Sequence, residues 1–216
     1  MNENKLKAFV FDFDGTLADS VPVITATATL AYEEFNIPVT REQIIAHIGL
    51  PLSEASEEYV GEGNGQAFAK AYSRYYENTK SALRPFPGAA HLLESLHKAG
   101  AAIAVCTSKR RRSITESLEQ TGLSTYLDAL VDFDSTSEHK PLPGPALLAA
   151  EQLGVAPAQC MFIGDARYDV GCGKNAGMRT CVVTWGAGTL AELLEAKPDH
   201  LVFSMAELEQ LLLSLC

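Results

Sequence analysis

Two carboxylates, Asp12 and Asp14, interrupt an apolar run that reads Phe9-Val10-Phe11-Asp12-Phe13-Asp14-Gly15-Thr16. Side chains two apart on a strand share a face, so both carboxylates are expected together at the end of a buried strand. There they repel one another and lose solvation. A divalent cation with oxygen ligands relieves that cost, with Asp12 set against a substrate. Gly15 then permits a sharp turn. A strand that merely ends in polar residues is the plainer reading, and it leaves the cost unexplained.

Later positions carry related chemistry. Thr107 and Ser108 follow an apolar run and open a helix pattern. Hydroxyls and free N–H groups there suit an anion, phosphate above all, or serve only as a helix cap. Asp165 follows Met161-Phe162-Ile163-Gly164 and is trailed by Asp169. Lys140, between His139 and Pro141, reads by itself as a surface lysine. Lys109, Arg110, Arg111 and Arg112 are expected in the first turn of the helix after Ser108, where each exposed cation opposes the dipole by roughly 0.3–1 kcal/mol. They form a solvated basic face, or they draw anionic substrate toward the site.

These residues need a frame. Apolar runs at 9–13, 101–106, 127–133, 160–164, 180–184 and 201–203 alternate with helix patterns closed by Gly100, Gly122, Gly154 and Gly177. That alternation predicts an α/β fold, a parallel sheet built from βαβ units. Ligands in such sheets bind beyond the carboxyl ends of the strands. The polar residues there are Asp12 and Asp14, Thr107 and Ser108, Asp132 and Asp134, and Asp165. Residues 19–83 show helix patterns only, with a Thr40/Gln43 capping box and an aromatic stripe of Phe68, Tyr72, Tyr75 and Tyr76. They read as an all-helical insertion between core segments 1–18 and 84–216. Further capping boxes are expected at Thr189/Glu192 and Ser204/Glu207.

Composition narrows the class. The 216 residues are 47% apolar and 20% charged, with a net charge of −10. That acidity disfavours nucleic acid and anionic membranes as partners. No apolar run spans a bilayer, and the opening residues offer no signal-peptide core, so a cytoplasmic protein is expected. Five unpaired-looking cysteines read as reduced, buried thiols rather than a disulfide or zinc framework.

The series Asp12-x-Asp14-Gly15-Thr16, strand-end Thr107-Ser108, isolated Lys140 and Gly164-Asp165-x-x-x-Asp169 resembles the haloacid dehalogenase superfamily along essentially the whole chain. The second Asp points to its phosphotransferases. FDFDGTLADS, HIGLPL, FPGAA and GKNAGM are most similar to phosphoglycolate phosphatase-like members with a small helical cap. The resemblance implies a Rossmann-like core with helices on both faces. It implies Asp12 as nucleophile, Asp14 as general acid and base, and Thr107, Ser108 and Lys140 on the phosphoryl group. It implies Mg²⁺ on Asp12, Asp165 and the Asp14 carbonyl, with Asp169 in support. The cap loop His47, Gly49 and Leu50 would meet the substrate, unless it is a mere interhelical turn. The expected substrate is a small phosphorylated metabolite, 2-phosphoglycolate first, and the expected assembly a monomer or homodimer. Pyrophosphate, a sugar phosphate or a nucleotide monophosphate are alternatives. A β-phosphoglucomutase-type mutase is weaker, as is phosphonate hydrolysis through Lys70 or Lys80. A binding protein on the same scaffold is expected to have lost these residues.

Overall fold

A computed structural model describes residues 5–216. Met1–Asn4, the start of the expected core segment 1–18 and of the stretch read for a signal peptide, lie outside them. Six parallel strands form one sheet: β1 (Ala8–Phe11), β2 (Ala102–Cys106), β3 (Ala129–Val131), β4 (Cys160–Gly164), β5 (Arg179–Val183) and β6 (His200–Val202). Their order is β3-β2-β1-β4-β5-β6.

The continuous apolar runs follow from burial on both faces. Phe9 and Phe11 of β1 join Ile103, Val105, Met161 and Ile163 in one core. Their neighbours Ala8 and Val10 join Ala104, Cys106 and Phe162 in the other. Helices α5 (Ala89–Lys98), α6 (Arg111–Thr121) and α10 (Met205–Leu215) cover the first face through Leu92, Leu93, Ile114, Leu208 and Leu212. Helices α7 (Gly144–Leu153) and α8 (Arg167–Asn175) cover the second through Ala146, Ala149, Ala150 and Cys172. The short α9 (Leu190–Glu195) packs Leu193 on Val170 and Val182.

Between Val21 and Ala82 every regular element is helical: α1 (Val21–Glu34), α2 (Arg41–Ile45), α3 (Leu52–Val60), α4 (Gly65–Thr79) and a 3₁₀ turn at Lys80–Ala82. These helices share a separate core of Ala28, Tyr32, Ile44 and Phe68. The chain leaves and returns through linkers that bind each other, Asp19 N–H to Arg84 O and Phe86 N–H to Leu17 O, both 2.9 Å.

Four local expectations need correction. Strand β1 ends at Phe11, so the face-sharing argument does not carry Asp14 to Asp12. The basic helix starts at Arg111, not at Ser108. Thr107 Oγ1 accepts the Lys109 N–H at 3.2 Å, Arg110 is extended, and Asp134 accepts the Arg111 N–H at 3.1 Å, which together delay the first turn. The third strand is only Ala129–Val131, because Asp132 caps a 3₁₀ turn at Phe133–Ser135. At α10, Ser204 accepts from the Glu207 N–H, but Glu207 accepts from the Phe203 N–H, so the cap is not reciprocal.

Candidate active site

The strand order changes direction beside β1, whose neighbours are β2 and β4. Such a switch point opens a crevice beyond the strand ends. Phe11 is level with Val105 and with Ile163, so Asp12 leaves the sheet one position before Thr107 and Asp165 on the flanking strands. The Asp12 N–H extends the ladder to Ile163 O at 2.8 Å, which fixes where its side chain leaves the sheet.

Lys140 is buried, contrary to its solitary reading as a surface residue. Its Nζ lies 2.7 Å from Asp12 Oδ1 and 2.7 Å from Asp169 Oδ1. Asp169 Oδ2 accepts the Ala166 N–H at 3.0 Å, anchoring the pair to the start of α8. Carboxylate oxygens of Asp12, Asp165 and Asp169 all come within 4.8 Å of one another. All three residues are buried.

The electrostatics follow from that crowding. Burial pushes the Asp12 carboxyl well above its ordinary value; Lys140 opposes this, and Asp169, Asp165 and Asp14 add to it. Burial and then Asp169 push Asp165 up to about 7, against the Ala187 N–H, Thr16 and Lys140. Burial works against the charge on Lys140, but Asp12 and Asp169 more than offset it and raise its pKa. One lysine does not balance three buried carboxylates, and a hard divalent cation fits the all-oxygen set.

Asp14 is placed differently. Its carboxylate pairs with Lys109, Nζ to Oδ1 at 2.9 Å, rather than joining the trio. Lys109 also lies 5.3 Å from the Tyr76 ring centroid. Burial disfavours the Lys109 charge, yet Asp14, Tyr76 and Tyr72 raise its pKa overall.

The arginines expected to attract anions are already engaged. Arg110 pairs with Asp134 at 3.0 Å and covers the Phe133 ring, Arg111 pairs with Asp132, and Arg112 pairs with Glu116 at 2.9 Å. Asp132 and Asp134 therefore belong to this loop, not to the carboxylate trio.

Thr107 is buried, with its hydroxyl oxygen on the Lys109 N–H. Ser108 donates its hydroxyl to Gly49 O at 2.7 Å, tying the loop after β2 to the helical segment. His47, Gly49 and Leu50 line the same cavity as Asp12, Asp14, Thr107 and Ser108. His47 is held by Gln43 O at 2.9 Å and by Glu58 at 3.0 Å.

Several contributors escaped the sequence reading. Thr16 Oγ1 donates to Asp165 Oδ1 at 3.1 Å, and the Ala187 N–H donates to Asp165 Oδ2 at 2.6 Å. A Cβ on Gly15 would fall 2.2 Å from Asp165 Oδ2, and one on Gly186 2.1 Å from it. The available signal was Gly186-Ala187-Gly188, a glycine pair just after a buried strand. Lys109 was hidden because its basic neighbours read as one helix face.

The family model for "Haloacid dehalogenase-like hydrolase" matches residues 9–183. The chain belongs to the haloacid dehalogenase-like hydrolases. It is an enzyme of the phosphatase kind within that family. It is 29% identical to the pyrophosphatase PpaX of Bacillus velezensis, over 96% of this chain and 97% of that one. It is 31% identical to a phosphoglycolate phosphatase of Neisseria meningitidis, over 94% and 92%. A crystal structure of a hydrolase from Pseudomonas syringae superposes with a TM-score of 0.88 at 27% identity, covering 95% of this chain and 97% of that one. The expected α/β sheet core with helices on both faces is thus the fold of a haloacid dehalogenase-like hydrolase. No helix among the described residues is long and apolar enough to cross a membrane.

Proposed function

We propose that this haloacid dehalogenase-like hydrolase is a Mg²⁺-dependent phosphatase that cleaves a small phosphomonoester through an aspartyl-phosphate on Asp12. One observation carries the reading: three buried carboxylates lie together, two of them, Asp12 and Asp169, on one buried lysine, and Asp12 lines a cavity. Asp12, Asp165 and the backbone carbonyl of Asp14 would hold Mg²⁺, which supplies charge neutralisation for the phosphoryl group.

The protein's own groups divide the rest of the work. Lys140 occupies Asp12 Oδ1, leaving Oδ2 to form the bond to phosphorus as the bond to the leaving oxygen breaks. Asp14 delivers a proton to that oxygen from Oδ2, while Oδ1 stays on Lys109. Asp14 then takes a proton from the water that attacks the aspartyl-phosphate, releasing phosphate and restoring Asp12. The Thr107 hydroxyl accepts from Lys109 N–H and so keeps its proton for a phosphoryl oxygen; Ser108 assists from the same loop. Lys140 neutralises the transferring group, and Asp169 orients Lys140.

Residues 19–83 act as a cap on a core of 1–18 and 84–216, hinged at the paired linkers, and closure excludes bulk water from the phosphoryl group. His47, Gly49 and Leu50 face the leaving group from the cap. The substrate is a small phosphorylated metabolite of the cytoplasm, and the enzyme works as a monomer or homodimer. 2-Phosphoglycolate and pyrophosphate are the first compounds to assay, following the names of the two relatives, with a sugar phosphate or nucleotide monophosphate next. The test is turnover of p-nitrophenyl phosphate. It should require Mg²⁺ and vanish in Asp12→Asn; no turnover of this compound or of a phosphometabolite panel would instead favour a binding protein on this scaffold.

A further inference from the structure

We infer that the preferred substrate carries its phosphate on an uncharged, mainly apolar body, not on a group bearing a second anion. The inference rests on the phosphatase reading and names the substrate class for it.

The cavity that starts at Asp12 and Asp14 has a volume of about 530 Å³. At roughly 30 Å³ per water-sized atom group, the nine heavy atoms of 2-phosphoglycolate would fill about half of it. Its size lies within the roughly 300–1,000 Å³ of sites that enclose a larger organic ligand. Much of its lining is apolar, with Ile24, Tyr32, Ile44, Leu52, Phe68 and Tyr72 contributing. Several of these belong to the cap's own core, so the wall is built from packed side chains and not from a mobile rim.

A second anion finds few unpaired cations there. Lys109 is taken by Asp14 at 2.9 Å, Arg74 by Glu34 at 2.6 Å, Arg110 by Asp134 at 3.0 Å and Arg112 by Glu116 at 2.9 Å. The remaining lysine or arginine of the lining, Lys70, is exposed, so its ammonium keeps its hydration and an ion pair to it would contribute little. A carboxylate or second phosphate under the cap would have to break one of these pairs, settle for the solvated Lys70, or lie desolvated against Phe68 and Ile44. An alkyl or aryl body instead gains by leaving water, by about 4-fold in affinity per methylene buried. The reaction is unchanged: water and the ester give a free alcohol and inorganic phosphate.

The experiment is a series of n-alkyl phosphates, ethyl to hexyl, whose leaving groups have nearly equal acidity. With Mg²⁺, kcat/KM should rise at least 30-fold along the series, and hexyl phosphate should exceed both 2-phosphoglycolate and pyrophosphate. A flat or falling series overturns the inference, as does 2-phosphoglycolate or pyrophosphate outpacing hexyl phosphate. Leu52→Lys, which adds a cation to the apolar wall, should shift the ratio of hexyl phosphate to 2-phosphoglycolate turnover at least 10-fold toward the acid. An unshifted ratio counts against the inference. Calorimetry with non-hydrolysable phosphonates separates it from the parent reading. Hexylphosphonate should bind the Mg²⁺-loaded protein at least 30-fold more tightly than ethylphosphonate. Equal affinities sink the apolar site even if phosphates are hydrolysed; absence of all turnover sinks the phosphatase and leaves the affinity trend to be read by itself.

Discussion

Lys109 Nζ lies 2.9 Å from Asp14 Oδ1, with side chains only 10% and 13% exposed. Removing one partner strands the other charge in a poorly solvated place, which costs more than the pair contributes. Lys109→Met is therefore expected to lower stability by about 3 kcal/mol. Adding Asp14→Asn to it should cost less than the sum of the two single changes. Urea unfolding of the four proteins checks this, and strict additivity would rule out the coupling.

The carboxylate trio makes a metal-removal prediction. Burial and Asp169 already disfavour the charge on Asp165. In chelator, Asp165→Asn should raise the melting temperature by a few degrees, as expected for about 1 kcal/mol in a chain of this size. Mg²⁺ should stabilise the parent protein and leave the variant unmoved. Differential scanning calorimetry with and without Mg²⁺ reads both effects.

Gly186→Ala places a methyl group 2.1 Å from Asp165 Oδ2. The carboxylate must move, so its Ala187 N–H bond and its alignment with Asp12 should both be lost. We expect kcat to fall by about 100-fold, on the scale set by misplacing a reacting group by an ångström. Steady-state kinetics decides, and near-normal turnover would mean that Asp165 tolerates displacement.

Ser108→Ala deletes the hydroxyl that donates to Gly49 O between two residues of the cavity lining. The expected loss of stability is about 1 kcal/mol. Faster amide exchange should be confined to residues 41–60, because that segment loses its tie to the loop after β2. Hydrogen-exchange mass spectrometry would show a uniform change instead if the bond stabilised the whole chain equally.

The thiols give a pH dependence away from the site. Burial raises Cys106 well above its ordinary value, Cys160 and Cys172 to about 11 and Cys181 to about 12. The thiolate is the reactive form, so raised values suppress alkylation at neutral pH. Iodoacetamide at pH 8 should label the half-buried Cys216 first, with the other four following only on unfolding or at strongly alkaline pH. Peptide mapping checks the order.

Much of the fold was legible because parallel strands buried on both faces leave long apolar runs, and left-handed glycines such as Gly122 and Gly154 close helices audibly in the pattern. Element ends were less so. The basic helix begins three residues late because Asp134, far along the chain, holds the Arg111 N–H. A helix pattern contains nothing about such a partner.

The site divides along the same line. Asp12 and Asp165 declared themselves as charges just past the ends of buried strands, and Asp14 as a charge inside the same apolar run as Asp12, where packing alone does not put them. Lys140 did not, because a lone lysine before a proline carries no sign of burial; it became visible only through the spacing of the whole motif set. Lys109 was read on the wrong element altogether.

By itself, then, the chain determined the order of strands and helices, the run of helices between the first two strands and the carboxylates clustered beyond strand ends, since these depend on periodicity and on the local cost of burying charge. Only the tertiary structure decided which charges meet. Lys140 reaches Asp12 across 128 positions of sequence and Asp169 across 29, while Lys109 takes Asp14 out of the trio. Pairing of that kind is set by side chains converging beyond strand ends, and the apolar wall above them comes from helices packing on one another, which no local pattern records.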